Sequence, residues 1–141
     1  MRDKGYTYSF DMLGEAALTT ADANKYFKDY LMAIEAVGRD KYGLDTSPAP
    51  SVSIKLSALH PRYEVANRDR VMIELYSTLI QLLDRAMELD VAITIDAEEA
   101  DRLELSLELF EKVYRSEKVK GWGKFGLVVQ AYSKRALPVL V

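Results

Sequence analysis

The chain has 141 residues, 49% of them hydrophobic and 29% charged, with no cysteine, one histidine and a formal net charge of −3. Such a composition is that of one globular domain with enough apolar material for a core, and it excludes a disordered chain, a disulfide framework and thiolate metal sites. With 19 Lys+Arg against 22 Asp+Glu and no basic run, nothing draws this segment to nucleic acid phosphates.

The lack of cysteine fits a reducing, cytoplasmic compartment. The start, Met1-Arg2-Asp3-Lys4-Gly5, is too charged for a signal peptide, and no run of 18 apolar residues could span a bilayer. Peripheral contact with a membrane stays open.

Residues 6–13 are aromatic and β-prone and stop at Gly14, which predicts a first strand with Asp11 near its C-terminal end and Glu15 in the loop beyond. Thr19 or Thr20 then caps a helix to about Val37, where Tyr26, Phe27, Tyr30, Ile34 and Val37 recur at helical spacing and Gly38 offers a stop. Residues 39–50 hold Gly and Pro clusters and predict a loop of about ten residues. In 51–63, Val52, Ile54 and Leu56 alternate with short residues to give a buried strand, which carries Lys55 near its end and breaks into a polar, aromatic loop at His60, Pro61 and Tyr63.

Over 67–89 the apolar positions fall three and four apart, the pattern of a long amphipathic helix. The β-branched run 91–96 ends on Asp96 and is followed by Glu98, Glu99 and Asp101. A third helix is predicted over 99–116, then a Gly121-Trp122-Gly123 turn and a fourth strand over 125–130 that ends on Gln130. Strands alternating with helices, and reading as near-continuously apolar, predict a parallel sheet covered by helices. A closed (β/α)8 barrel takes roughly 250 residues, so four strands make either a small doubly wound sheet or half a barrel with an uncovered inner face.

Asp11, Lys55, Asp96 and Gln130 stand at equivalent strand ends, the side on which parallel α/β folds bind ligands. Lys55 suits a carboxylate or phosphate anchor or a Schiff-base nucleophile, and its bland alternative is an ion pair with Asp96 or Asp11. Asp96 is costly to bury unless it meets a cation or hydrogen-bond donors. Gln130 donates and accepts at once, which suits the edge of a flavin or pterin. Glu98, Glu99 and Asp101 are better read as helix-start acids than as a metal cluster. One histidine with no adjacent acid reads as loop-fixing, and Tyr63, Trp122 and Tyr132 as caps on the core.

Four stretches carry a resemblance. They are Phe10-Asp11-Met12-Leu13-Gly14-Glu15-Ala16-Ala17-Leu18-Thr19, Ser53-Ile54-Lys55-Leu56-Ser57-Ala58-Leu59-His60-Pro61-Arg62-Tyr63, Ile95-Asp96-Ala97-Glu98-Glu99-Ala100-Asp101-Arg102-Leu103-Glu104 and Val129-Gln130-Ala131-Tyr132-Ser133-Lys134-Arg135. In order and spacing they are similar to consecutive motifs of the flavin-dependent proline dehydrogenase barrels of the proline utilization A family. The resemblance implies a distorted (β/α)8 barrel of which residues 1–141 are an N-terminal, incomplete part.

It also implies FAD as cofactor, L-proline as substrate and 1-pyrroline-5-carboxylate as product, with a hydride passing from proline C5 to flavin N5. Electrons then leave to a membrane quinone, and the full-length protein is expected to be an oligomer. By the same resemblance Lys55 and Asp96 are catalytic, Lys55 helping to hold the proline carboxylate. Asp96 and Gln130 lie close to the isoalloxazine ring, Glu15 pairs with an arginine to gate the site, and Asp11 sits near the substrate. The paired arginines and most flavin contacts of such barrels would lie beyond Val141, so the isolated chain is expected to be inactive. Two other readings compete: a barrel aldolase or lyase using Lys55 to form an imine, and a non-catalytic piece whose bare sheet edge pairs with another chain.

Overall fold

The computed structural model describes residues 6, 8–40 and 50–141. Most of the loop predicted over 39–50 therefore lies outside the described residues. Strand β1 (Ser9–Asp11) is followed by helix α1 (Thr20–Asp40), β2 (Ser51–Ile54), a short α2 (Leu56–Leu59), α3 (Arg68–Glu88), β3 (Ala92–Ile95), α4 (Leu103–Tyr114), β4 (Phe125–Leu127) and α5 (Ala136–Leu140). Single 3-10 turns at Val65–Asn67 and Ala100–Arg102 lead into α3 and α4.

All four strands are parallel, in the order β1-β2-β3-β4. Consecutive parallel neighbours joined by right-handed crossovers place the connecting helices on one side of the sheet, and α1 packs on α3 and α3 on α4 in a single layer. A doubly wound sheet instead reverses its strand order at a switch point. The described strands are thus an arc of a (β/α)8-type barrel, and the half-barrel expectation holds over the open sheet.

Register sorts the strand residues into two faces. Phe10, Val52, Ile93 and Phe125 align, as do Ile54, Ile95 and Leu127; of these, Val52, Ile54, Ile93 and Ile95 are almost wholly buried beneath the helices. The other face carries Ser9, Ser51 and Ala92 in one row and Asp11, Ser53, Thr94 and Gly126 in the next. The near-continuously apolar strands predicted above are therefore corrected: the pattern alternates, because only the outer face meets hydrocarbon. Small inner residues leave room above the sheet, and Ser9 and Ser53 hydroxyls meet there at 3.0 Å.

Several boundaries differ from those predicted. β1 pairs over three residues, since its partner β2 begins at Ser51 and turns helical at Leu56. The α1 cap is Thr19, whose hydroxyl oxygen accepts the Asp22 N–H at 3.1 Å while the Asp22 carboxylate accepts the Thr19 N–H at 2.9 Å, a reciprocal cap. Helix α1 passes through Gly38 instead of stopping there. A Cβ at Gly38 would lie 3.0 Å from the Leu89 Cβ, so this glycine serves the close approach of α1 to the end of α3. α5 was not predicted; Pro138 sits in its first turn, where the missing N–H costs no helical hydrogen bond.

The core lies between the sheet and α3, whose Leu75, Leu79, Leu82 and Leu83 have no exposed surface. Leu83→Ala removes buried methyl groups and leaves a cavity, so it is expected to cost about 2–5 kcal/mol, read as a lowered midpoint in thermal unfolding. Among the described residues no helix is long and apolar enough to cross a membrane.

Candidate functional site

The site is built from the loops that follow the strands. Ile54 and Ile95 are the last register pair of β2 and β3, so Lys55 and Asp96 leave the sheet side by side. The Asp96 N–H still donates to the Ile54 carbonyl at 2.9 Å. By alternation both side chains take the inner face, with Asp11 arriving from β1 on the same side. Lys55 Nζ donates to Asp11 Oδ1 at 2.7 Å and to Asp96 Oδ2 at 3.3 Å.

The side chains of Lys55 and Asp96 are only 17% and 18% exposed, against 56% for Asp11. Both ion pairs offered as alternatives for Lys55 are thus present at once. Burial is the strongest single influence on the Lys55 ammonium and pulls its pKa down; the hydrogen bonds and charges of Asp11 and Asp96 outweigh it and hold the pKa above the usual lysine value. An ammonium has three N–H donors, so two serve the carboxylates and one is left for a ligand.

The Lys55 backbone is fixed from behind. Its N–H donates to the Tyr30 hydroxyl at 3.0 Å, and Tyr30 is buried in α1 with its phenol pushed up to about 12, chiefly by burial. Sequence reading counted Tyr30 only as a core aromatic. The available signal is that a phenol on a core-facing helical position needs a hydrogen-bond partner.

Lys55, Glu15, Glu98, Gln130 and Tyr132 line one open groove of about 330 Å³ at the C-terminal end of the sheet. Gln130 lies three residues past the end of β4, not at its last position, because pairing with β3 ends at Leu127. Its side-chain amide makes no hydrogen bond among the described residues. Glu15 is exposed on the rim.

Gly14, just before Glu15, has φ +125°, and an added Cβ there would overlap the Tyr26 ring. Gly14→Ala is therefore expected to destabilise the loop by roughly 1–3 kcal/mol, and limited proteolysis around residues 12–18 would show it as faster cleavage.

The acids after β3 separate. Glu98 turns inward and accepts the Ser57 N–H at 3.1 Å; burial raises its carboxyl above the usual range, with the Ser57 hydrogen bonds pulling the other way. Glu99 faces outward and pairs with Arg102 at 3.1 Å. Among the described residues no group of three or more His, Asp or Glu side chains is placed to hold a metal ion.

His60 is 4% exposed. Its Nδ1 accepts the Arg62 N–H at 3.1 Å, so Nε2 carries the proton donated to Glu74 at 2.8 Å. The histidine fixes the loop, but the expectation that it has no acid partner is corrected: Glu74, far along the chain on α3, supplies one. Tyr63, just beyond in the same loop, is buried with the Arg102 guanidinium 5.6 Å from its ring centroid.

Comparison with known proteins adds to this geometry. The family model described as proline dehydrogenase matches residues 1–141. The bifunctional protein PutA of Klebsiella aerogenes is 53% identical over 135 residues, covering 96% of this chain and 10% of that protein. PutA of Rhizobium meliloti is 48% identical over 140 residues, 99% of this chain and 11% of its own length. The chain thus spans about a tenth of the curated relatives it matches.

Among solved structures, a proline utilization A mutant from Bradyrhizobium japonicum superposes with a TM-score of 0.89 at 51% identity, over 94% of this chain and 14% of that one. The Bdellovibrio bacteriovorus protein inactivated by N-propargylglycine gives a TM-score of 0.90 at 26% identity, over 97% of this chain and 15% of its own.

Proposed function

We propose, from the premise that this chain belongs to the proline dehydrogenase family, that it supplies the carboxylate-anchoring wall of a flavin-dependent barrel that oxidises L-proline within a longer polypeptide. The observation that carries this reading is the Lys55 ammonium, held by Asp11 and Asp96, in the lining of a groove shared with Glu15 and Gln130. One positive and two negative charges side by side complement an amino acid, whose carboxylate and amine are neighbours.

In this reading Lys55 gives its remaining N–H to the proline carboxylate. That fixes one end of the substrate and leaves the apolar ring free to stack, so much of the rate comes from orientation. A hydride leaves C5 while the lone pair of the unprotonated ring nitrogen forms the C5=N bond, giving 1-pyrroline-5-carboxylate as its N-protonated iminium, which then releases that proton to water. Glu15, on the rim, is the acid that pairs with an arginine elsewhere in the barrel to close the site.

The residues present fit FAD. Gln130 offers an uncommitted amide, able to donate and accept, at the edge of the groove, and Asp96 stands on the same face. When bound, the flavin supplies the hydride acceptor. A membrane quinone would be the final electron acceptor, and the full-length protein would work in the cytoplasm as an oligomer with peripheral membrane contact.

The imine-forming alternative requires a lysine whose pKa is lowered toward neutrality, whereas that of Lys55 is raised by its two carboxylate partners. Borohydride in the presence of carbonyl substrates is accordingly expected to leave no adduct on Lys55. The test of the main reading is the purified intact protein with L-proline and a dye acceptor: a flavin absorbance band and a cyclic imine product are expected. A protein that carries flavin but reduces no dye with proline would overturn it.

A further inference from the structure

Loops from three strands meet on one buried serine. Ser57, in the first turn of α2, is 3% exposed, and it does not line the groove. Its N–H donates to Glu98, in the loop after β3, at 3.1 Å. Its hydroxyl oxygen accepts the Ala16 N–H at 3.0 Å and its carbonyl accepts the Ala17 N–H at 2.9 Å, both from the loop after β1.

The β1 loop needs such a hold. Ala16 has φ +52°, a left-handed conformation that is unfavourable for a residue with a Cβ and persists only where surrounding contacts enforce it. With Gly14 at +125° on the other side, Glu15 sits between two positive-φ residues, and its direction depends on both. The hydrogen bonds from Ala16 and Ala17 to Ser57 are what enforce the Ala16 conformation.

We infer that Ser57 and Glu98 form a latch: Glu98 fixes Ser57, and Ser57 fixes the strained loop that presents Glu15 at the groove. Through this contact both act as positioning residues, on substrate retention by way of Glu15; Ser57 lies outside the groove, while Glu98 also lines it. The catalytic consequence rests on the reading of the groove as the proline site, while the latch itself does not.

The test compares Ser57→Ala, Glu98→Gln and Glu98→Ala in the intact enzyme, by hydrogen exchange of the peptide covering residues 14–18 without substrate and by steady-state kinetics with L-proline. Losing one hydrogen bond corresponds to about threefold to tenfold. S57A is expected to speed exchange at Ala16 by that factor and to raise KM by a similar one, with kcat nearly unchanged. In hydrogen exchange E98A should behave like S57A, and E98Q like the unmodified protein, because its amide oxygen still accepts the Ser57 N–H.

Unchanged exchange in S57A, or exchange in E98Q as fast as in E98A, overturns the latch. Faster exchange in S57A with no proline turnover in any variant, including the unmodified enzyme, would sustain the latch and sink the proline reading instead.

Discussion

Lys55→Met in the intact enzyme is expected to lower kcat/KM for L-proline by about a hundredfold or more. Truncating one partner of a poorly solvated, hydrogen-bonded charge cluster costs on the order of 2–5 kcal/mol, much of it from charges left without their counterion. Here two carboxylates are left, Asp11 at 2.7 Å and Asp96 at 3.3 Å from the lost ammonium, and the substrate carboxylate loses its anchor as well. The loss should fall mainly on KM. Lys55→Arg is not expected to restore it, since a planar fork cannot occupy the position of a compact ammonium between two carboxylates.

The pH dependence follows from the same cluster. The folded-state pKa of Lys55 is raised above its ordinary 10.5, so the stabilisation from its pairing is complete below that ordinary value and fades only as pH rises through the still higher folded one. No ionisation of Lys55 should therefore be visible in a kcat/KM profile between pH 6 and roughly pH 10, and any basic-side change there belongs to another group. K55M should leave the shape of that profile intact while lowering it.

The second large effect concerns the chain by itself. A purified protein of these 141 residues is expected to show no proline-dependent dye reduction, and light scattering should find it associated. Both β1 and β4 are edge strands, and such edges present unpaired N–H and C=O groups that template further pairing. Among the described residues the inner face bears small and polar side chains with no layer over it. Apolar side chains are exposed at both edges of the sheet: Phe10, on β1, is 41% exposed and Val128, just past β4, 40%. A monodisperse monomer that turns over proline would refute both parts of the expectation.

How much of this was legible from residues alone depended on the kind of signal. Lys55, Asp11 and Asp96 were visible because each is a charge placed where a strand should end, and a regular alternation of strand and helix puts such ends on one side. The helices were legible from periodicity, with Leu75, Leu79, Leu82 and Leu83 marking the face of α3. The alternation within the strands was harder to see, since Ser51, Ser53 and Thr94 are short enough to pass as core residues in a run so brief.

Gly38 misled because glycine is enriched just past helix ends, and its actual role, contact with Leu89, is set by a segment 51 residues later in the chain. The same reason hid Tyr30 and Ser57. Their importance lies in hydrogen bonds between a side chain and a distant backbone, Lys55 N–H to Tyr30 and Ala16 N–H to Ser57, which leave no periodic trace. Glu98 was noticed for its charge and assigned to the helix start, whereas it turns inward to Ser57.

The most direct measurement of the central claim is a comparison of L-proline with pyrrolidine, which lacks the carboxylate, as substrates of the intact enzyme and of its K55M variant. If the Lys55 ammonium anchors that carboxylate, the preference for proline in kcat/KM should shrink in the variant by about tenfold or more, the worth of one charge-assisted hydrogen bond. A variant that slows both substrates equally, with the preference intact, would contradict the account.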